Sequence, residues 1–276
     1  MFASCPGAFE PPRKTPGLHP YHRPSRVVCV STGIQVVWRC DVGNGRRMDL
    51  ADLFPPFGLR VACGDLELRL PDDAELVRLA DLAVAGIHPP ERRPFLVPWN
   101  VGTPDEVRRG LLQYHWSSRG KVSPEAWALE LAVFRDGEPV GVQSVGAKSF
   151  PVTRSAGTGS WLALANHSQG IGKRMRLMAL HLLFDGFDAA DATTEAFDDN
   201  PESNGVTRSL GYAPNGVVLQ ERQGEVAAEN RYRMTREMWE ARPDAHWPDV
   251  TLEGVAPVRA MLKMDEMAPA GPDIDT

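Results

Sequence analysis

The sequence predicts an α/β protein, in the α+β sense, with a mixed sheet and helices packed on its faces. From residue 65 onward, stretches that alternate as strands and stretches with helical periodicity follow one another in the order β-α-α-β-β-β-α-β-α-β-β. An Asp136-Gly137 pair between two apolar runs is typical of a hairpin turn. Local alternation of strands and helices in the second half indicates helices that cover a sheet.

The first half of this order contains one strand and two helices. Residues 66–71, LELRLP, alternate as a half-buried strand. A helix then begins near Asp72, with acidic residues in its first turn, where the helix dipole favours them. Residues 88–100 hold four prolines and cannot form a regular helix. The second helix covers 103–118, with Thr103 as its N-cap and a proline at its first position.

The second half adds six strands and two helices. The hairpin covers 128–146, and the next strand, 158–164, runs through a glycine turn into an apolar-faced helix. A strand is predicted at 191–200, followed by a short helix at 201–212 that Gly211 ends. The segments NGVVLQERQ and AENRYRMTREMW close the pattern as two strands.

The chain divides into three segments by composition. Residues 1–47 are rich in proline and irregular in hydrophobic spacing, which predicts a disordered or weakly attached extension. Residues 48–242 contain the regular elements and form the predicted domain. Residues 243–276 are predicted to be a tail with one strand, in VTLEGV.

Composition limits the function. The net charge of −6 gives no general attraction to nucleic acid. No apolar run approaches the roughly 20 residues that cross a bilayer, and the N-terminus lacks a signal-type apolar core. All four cysteines precede residue 64 without metal-like spacing. We therefore expect a cytoplasmic protein without a metal, a membrane partner or a nucleic-acid partner.

Two glycines mark the start of the helix after the glycine turn. In HSQGIGK, residues 167–173, Gly170 and Gly172 lie where the helix must begin, although glycine disfavours helices. A helix start is an anion site, and small residues let a phosphate approach the backbone. Lys173, Arg174 and Arg176 add positive charge. An ordinary glycine turn is the alternative, and the pattern matches neither a Walker loop nor a dinucleotide fingerprint.

Several motifs together resemble the GCN5-related N-acetyltransferase (GNAT) superfamily. The strand GSWLAL, the turn HSQGIGK and the later DDNPESNGVTRSLGY have the order of that family. Within it, the segment from Asn200 to Ser203 is similar to the RimJ/RimL-like branch. HPPERRPFLVPW, VGVQSVGAKSFPVTR and LGYAPNG resemble a coenzyme A-dependent succinyltransferase subfamily. The resemblance covers about residues 56–260 and implies a mostly antiparallel central sheet with helices on both faces.

The resemblance also implies the cosubstrate, acetyl-coenzyme A or succinyl-coenzyme A. In the family, a loop of the form Gln/Arg-x-x-Gly-x-Gly/Ala binds the pyrophosphate. His167 stands at its first position, which departs from the pattern. The residues expected to contact coenzyme A are His167, Gln169, Gly170, Ile171, Gly172 and Lys173 of the turn, with Leu164 and Asn200.

The implied reaction is direct attack of a primary amine on the thioester. The strand at Leu162 to Leu164 is expected to offer a backbone N–H to the thioester carbonyl. Ser203 matches the position that faces the departing sulfur, with a helix-start serine as the alternative, and Asn200 could be an ordinary N-cap. Glu195 is the candidate base. Glu130, His88 and His115 are the other candidates, and no motif places any of the four.

The proline-rich loop is the candidate substrate cover. Arg92, Arg93, Phe95 and Trp99 could enclose the acyl group and the acceptor. If the acyl chain ends in a carboxylate, an arginine could bind it with two hydrogen bonds. We expect Arg92 or Arg93 in that role, with Lys148 and Arg154 as further cations. A surface connector with solvated arginines is the alternative.

The sequence therefore predicts an acyl-coenzyme A-dependent N-acyltransferase. The acceptor is left open among a protein α-amine, a lysine and a small molecule, and a homodimer or higher homo-oligomer is an open expectation. The competing hypothesis is a catalytically silent coenzyme A-binding sensor or interaction module of the same fold.

Overall fold

One mixed sheet forms the centre of the protein in the part that the structure, a computed structural model, describes, which is residues 48–242 and 249–266. The sheet has nine strands in the order β7-β8-β6-β5-β4-β3-β2-β1-β9. The strands are β1 (Arg60–Cys63), β2 (Leu66–Arg69), β3 (Ala126–Arg135), β4 (Glu138–Lys148), β5 (Ser155–Leu162), β6 (Asp191–Phe197), β7 (Ala213–Arg222), β8 (Glu225–Thr235) and β9 (Thr251–Glu253). The extension predicted at residues 1–47 lies outside the described residues.

The pairing of the strands confirms the predicted fold class. Strands β5 and β6 are parallel, and the other neighbours in the described sheet are antiparallel. The parallel pair is joined by the segment that carries the glycine turn, because parallel neighbours need a crossover connection. The sheet is therefore mixed and mostly antiparallel, as the sequence and the resemblance predicted.

Helices cover both faces of this sheet. They are α1 (Leu50–Leu53), α2 (Asp73–Ala85), α3 (Pro104–Gly120), α4 (Phe150–Thr153), α5 (Ile171–His181), α6 (Pro201–Ser209), α7 (Arg236–Glu240) and α8 (Val255–Met261). One π-helical turn, Leu182–Gly186, continues α5. The bounds of α2, α3, α5 and α6 agree with the helical segments that the sequence indicates.

Alternation along β3 divides the core between the two faces. Leu129 and Leu131 point toward the α5 face and pack in the larger cluster. Ala132 and Phe134 point the opposite way and pack against α2 and α3, where Leu76 is fully buried. The period of two in a strand produces this division. The two faces have different roles in the site described below.

The segment after residue 248 joins the same sheet and core. Strand β9 pairs with β1 at the sheet edge. Helix α8 follows it, and Val258, Leu262 and Met264 are fully buried. The sequence predicts the strand, but α8, β1 and α4 were not predicted, because elements this short lack a readable period. Among the described residues, no helix is long and apolar enough to cross a membrane.

Candidate functional site

The strands β5 and β6 separate halfway along their length. They pair from Ser155 opposite Asp191 to Thr158 opposite Thr194, and there the pairing ends. Beyond that point β5 continues along β4, whereas β6 continues along β8. We call the gap between residues 159–162 and residues 195–197 the fork. Its backbone groups lack a strand partner across the gap, so a bound chain can use them.

The backbone N–H of Leu162 points into the fork. Ala163 N donates to Val140 O at 2.9 Å on the β4 side. Because N–H groups alternate in direction along a strand, the neighbouring N–H of Leu162 points away from β4. The carbonyl of Leu162 points the same way and lies 3.1 Å from His167 Nε2. The structure therefore directs a backbone donor into the gap at the position that the sequence analysis predicted.

Helix α5 begins beside the fork without a side-chain cap. Its N-cap is Gly170, in the left-handed conformation with φ +76° and no side-chain hydrogen bond. Glycine adopts this conformation without strain. A Cβ at Gly172 would lie 3.8 Å from Leu162 and 3.9 Å from Val206 of α6. The first turn of α5 thus lies between the end of β5 and α6, and its free N–H groups form a ready anion site.

The charged and polar side chains of the glycine turn point in different directions. Lys173 is exposed. Gln169 donates to Ala165 O at 2.8 Å and accepts from Arg135 at 2.7 Å. Arg174 donates to Cys63 O at 2.8 Å and pairs with Asp65. The expectation that Arg174 adds charge to the anion site is therefore wrong, because Asp65 already neutralises it.

Arg176 is directed into the interior rather than toward the helix start. Its Nη1 donates to Thr194 Oγ1 at 2.8 Å and its Nη2 donates to Ser160 Oγ at 3.1 Å. It is 4 % exposed. Because its guanidinium lies below the fork, it does not belong to the anion site, and the sequence-based expectation for it is also wrong.

The start of α6 lies on the other side of the fork. Asn200 is the N-cap, and its Oδ1 accepts from Ser203 N at 3.0 Å. The hydroxyl-bearing side chain of Ser203 is half-buried in the first turn. Asn204 anchors this turn, since its amide donates to Phe197 O at 2.7 Å and it accepts from Tyr232 at 2.6 Å. The cap alternative for Asn200 is thus realised, which leaves its amide nitrogen for another partner.

The proline-rich loop crosses from one side of the fork to the other. Leu164 N donates to Gly86 O at 3.0 Å at one end of the loop. At the other end Arg92 donates to Asp199 O at 3.0 Å and lies 3.7 Å from Glu202. Arg93 lies 3.6 Å from Glu225. The loop therefore bridges the two sides, and both arginines that we expected to bind substrate have carboxylate partners.

Arg222 holds the end of the proline-rich loop that lies beside Asp199. It donates to both carboxylate oxygens of Asp199, at 3.0 and 2.6 Å, and to Arg93 O at 2.7 Å. Its guanidinium lies over the ring of Phe197, 4.2 Å from the centroid. The hydrogen bond and charge of Arg222 lower the pKa of Asp199. No sequence pattern predicts these contacts of Arg222, because they join residues far apart in the chain.

Aromatic rings run from this loop onto β5. Phe95 and Trp99 lie 5.5 Å apart, and Trp99 lies 5.7 Å from Trp161. Trp161 points to the α2/α3 face, because it packs with the cluster on that face. His88 lies 5.9 Å from Phe95 and is hydrogen-bonded to Asn100 at 2.8 Å. Phe95 and Trp99 therefore border the fork on this face, and their role as a substrate cover stays a prediction.

The two candidate carboxylates lie on the same face, on one line across the sheet. Glu130 is opposite Ser144, Ser144 is opposite Gly159, and on the other side of the gap Glu195 is opposite Arg231. Glu195 pairs with Arg231 at 3.0 Å. Glu130 is buried and accepts from Tyr114 at 2.7 Å and from Ser144 at 3.1 Å.

Burial tunes the ionisable groups near Glu130. Desolvation raises the pKa of Glu130, while hydrogen bonds from Tyr114 and Ser144 oppose the shift. Desolvation, with the charge of Glu130, raises the pKa of Tyr114 as well. Burial of its ring lowers the pKa of His115, which lies on α3, to about 4, so His115 is neutral at pH 7. Burial therefore favours the uncharged form of both His115 and Glu130.

An open groove of about 800 Å³ runs over β5 on this face. Gly157 and Gly146 form part of its floor, and Thr193 with Glu195 lines one side. The residues that border it elsewhere include Lys121 and Lys148. The groove is wide and solvent-open, and it gives an extended chain access to β5.

No protein-family model matches the chain. Solved structures share its fold. A RimL ribosomal L7/L12 α-N-protein acetyltransferase in complex with coenzyme A is 21 % identical, with a TM-score of 0.51 over 65 % of this chain and 99 % of that one. Mycobacterium smegmatis RimJ in complex with a coenzyme A disulfide is 20 % identical, with a TM-score of 0.54 over 68 % and 90 %. A putative ribosomal-protein-serine acetyltransferase from Vibrio cholerae is 16 % identical, with a TM-score of 0.51 over 64 % and 97 %.

The fold is therefore that of the GNAT acetyltransferases. Two of the structures named above carry the names RimL and RimJ, which are those of the branch that the sequence resembles. At these identities the likeness concerns the fold, and the chemistry has to be argued from the residues of this chain.

Proposed function

We propose that this protein is an acyl-coenzyme A-dependent N-acyltransferase. The observation that carries the proposal is the fork, with the N–H of Leu162 directed into it, beside a long helix that begins without a cap at Gly170. A thioester carbonyl and a diphosphate are the two groups that such donors suit. A silent coenzyme A-binding module would need the helix start but not the donor in the fork.

The chain's own residues fit coenzyme A in three places. The free N–H groups at the start of α5 take the diphosphate, with Lys173 exposed beside them. At Gly172 a Cβ would be in ordinary contact with Leu162 at 3.8 Å, so the absence of a side chain there leaves space beside the end of β5 for a thin arm. The unpaired backbone of the fork then offers hydrogen bonds to the amides of the pantetheine arm, with Asn200 on its other side.

The reaction is a direct acyl transfer. The amine nitrogen attacks the thioester carbon, the new N–C bond forms, and the C–S bond breaks with its electron pair on sulfur. The N–H of Leu162 stabilises the oxyanion that develops on the carbonyl. Ser203, half-buried in the first turn of α6, donates toward the leaving thiolate. The proton released by the amine passes to solvent along the open groove.

The acceptor that suits this site is a polypeptide α-amine. Glu195 is the carboxylate of the groove, and it is already paired with Arg231 at 3.0 Å. An α-amine of pKa about 7.7 costs only about 1 kcal/mol to deprotonate at pH 7, whereas a lysine costs about 4–5 kcal/mol. The groove beside the start of β5 is open to solvent, and the similar RimL structure is named as a protein α-N-acetyltransferase.

The acyl group is acetyl or succinyl. The named structures of the same fold are acetyltransferases, whereas the resemblance of HPPERRPFLVPW and its companion motifs is to a succinyltransferase subfamily.

The proposal is tested by thioester turnover with peptide acceptors. Free thiol release is measured with acetyl- and succinyl-coenzyme A on peptides with free and with blocked α-amines. The decisive variant is Leu162→Pro, which removes the N–H directed into the fork. Its matched control is Leu162→Ala, which loses the buried side chain but keeps the donor. We expect the proline variant to turn over about 10²- to 10³-fold more slowly than the alanine variant.

Two results would contradict the proposal. One is equal turnover by the proline and alanine variants, which would mean that the donor is not used. The other is coenzyme A binding by the wild type without turnover of either thioester on any amine, which would favour the silent module. Circular dichroism of both variants establishes that a slow variant is still folded.

A further inference from the structure

The fork has a closed end, which is the point where the pairing of β5 with β6 stops. One buried arginine, Arg176, lies there. The pairing of β5 with β6 ends at Thr158 and Thr194. Arg176 reaches this point from α5 and bonds to one strand at Ser160 and to the other at Thr194. Its side chain therefore forms the inner wall of the gap that the coenzyme arm would enter.

Arg176 has a charge without a counter-charge. No carboxylate of the described residues forms an ion pair with it, and its Nε lacks a hydrogen-bond partner there. The one ionisable neighbour that acts on its pKa is the phenol of Tyr212, which burial keeps neutral by raising its own pKa, while burial lowers the pKa of Arg176. A buried, unpaired cation is costly, so an anion that reached this guanidinium would be bound strongly.

The geometry of the fork selects the part of the coenzyme that reaches Arg176. The open end of the fork adjoins the start of α5, where the diphosphate is held. A thin arm that enters there and passes Leu162 has its tip directed toward the closed end. Ser160 is two residues from Leu162, roughly 7 Å of strand. A four-carbon diacid spans about 4 Å between its terminal carbons, and a hydrogen bond adds ~3 Å, so such a chain closes this distance.

We propose that Arg176 binds the terminal carboxylate of the acyl chain and makes the protein selective for thioesters of dicarboxylic acids, of which succinyl-coenzyme A has the matching length. The inference rests on the proposed coenzyme A site, but not on turnover. A planar guanidinium with a free Nε beside two engaged Nη atoms presents N–H groups in the arrangement that a carboxylate accepts.

The loop arginines are less suited to this role. Arg92 and Arg93 have Glu202 and Glu225 as partners and are exposed, which weakens their attraction for a further anion. They lie at the far side of the bridge, beside Asp199, rather than at the closed end of the fork. The structure therefore favours a carboxylate site at Arg176 of α5 over the predicted site at Arg92 or Arg93 of the loop.

The test compares two thioesters of equal length. Succinyl-coenzyme A ends in a carboxylate, and butyryl-coenzyme A ends in a methyl group at the same place. We expect calorimetry on the full chain to give at least tenfold tighter binding of succinyl-coenzyme A. Equal or tighter binding of butyryl-coenzyme A by the wild type would overturn the inference without any variant. If neither thioester binds, the proposed coenzyme site itself is wrong, and the inference is wrong with it.

Variants then identify the residue. Arg176→Gln removes the charge and keeps a shorter polar side chain, and it should lose about 10- to 150-fold in succinyl-coenzyme A affinity with little change for butyryl-coenzyme A. The matched control is Arg174→Gln, from the same helix but paired with Asp65, which should leave the ratio unchanged. An equal loss for both thioesters in Arg176→Gln would indicate that Arg176 only holds the strands, and a shifted ratio in Arg92→Gln would return the site to the loop.

Discussion

Helices α3 and α5 begin in opposite ways. The start of α3 is closed by its own side chains, since Thr103 Oγ1 accepts from Glu106 N at 3.4 Å and the Glu106 carboxylate accepts from Thr103 N at 2.8 Å. The start of α5 is Gly170, which has no side chain to offer and leaves the first N–H groups open. Both helices are long enough to have a dipole, but only one of them presents it to a ligand.

This difference separates stability from function along the chain. A capping box satisfies the donors of α3 in the absence of any other molecule, and a typical N-cap stabilises by about 1 kcal/mol. The donors of α5 gain their best partner only when an anion is bound. Changes in α3 should therefore alter the free energy of unfolding, whereas changes at the start of α5 should alter coenzyme affinity.

The largest effect is expected from a negative charge at the start of α5. Gly172→Asp places a carboxylate beside the proposed diphosphate position, and two negative charges 4 Å apart repel by about 4 kcal/mol at an effective dielectric constant of 20. We expect coenzyme A affinity to fall on the order of 1000-fold, as measured by calorimetry.

The matched control for this variant is Gly110→Asp in α3. Gly110 is also a helical glycine, and a Cβ there would meet nothing within 4 Å. It should bind coenzyme A as the wild type does. Unchanged affinity in a folded Gly172→Asp protein would mean that the two helix starts do not differ in function.

The next effect concerns acid stability, and it belongs to α3. The pKa of His115 is lowered to about 4 by burial, against 6.5 in the unfolded chain. Between these values the unfolded state binds a proton that the folded state does not, so stability falls as pH falls from about 6.5 to about 4. Above pH 6.5 the ring is neutral in both states. The loss should total about 3 kcal/mol at the acid end.

Urea denaturation at pH 7 and pH 4.5 measures this dependence. In His115→Leu the part of the acid dependence that comes from this ring should disappear. His88→Leu, from the proline-rich loop, serves as the control with a half-buried histidine. If His115→Leu keeps the full acid dependence, other ionisable groups cause that dependence. Coenzyme affinity at pH 7 should be the same in all three proteins.

The same contrast explains what the sequence could predict. Helix α3 was predictable because its cap, its proline and its period are local. The glycine turn was predictable as the start of α5 for the same reason. The direction of Arg176 was not, since a charged residue about one turn beyond Gly172 looks like part of the glycine motif until the neighbouring strands are known. Asn204 and Arg222 were missed because their partners are distant in the chain.

A smaller effect is expected from removing the cap of α3. Thr103→Ala deletes the oxygen that accepts from Glu106 N, which should cost about 1 kcal/mol of stability. For a domain of this size that corresponds to a fall in Tm of about 2–4 °C. Thermal unfolding measures the shift, and Thr103→Ser should restore most of it. A fall in coenzyme A affinity in the folded alanine variant would contradict the assignment of α3 to stability alone.

The start of helix α6 combines the features of α3 and α5, and both features belong to Asn200. Its Oδ1 caps the helix through Ser203 N at 3.0 Å, as Thr103 does for α3, while its amide nitrogen remains available to the pantetheine arm, as the donors of α5 are to the diphosphate. Asn200→Ser keeps a capping oxygen and removes that nitrogen. We expect stability to change by less than about 0.5 kcal/mol and coenzyme A affinity to fall about fivefold, the loss of one hydrogen bond.

Thermal unfolding and calorimetry on one preparation give both numbers. If affinity is unchanged, Asn200 is a cap and nothing more, and α6 belongs with α3. If both fall together, as in Asn200→Ala, the amide acts through the helix rather than on the ligand.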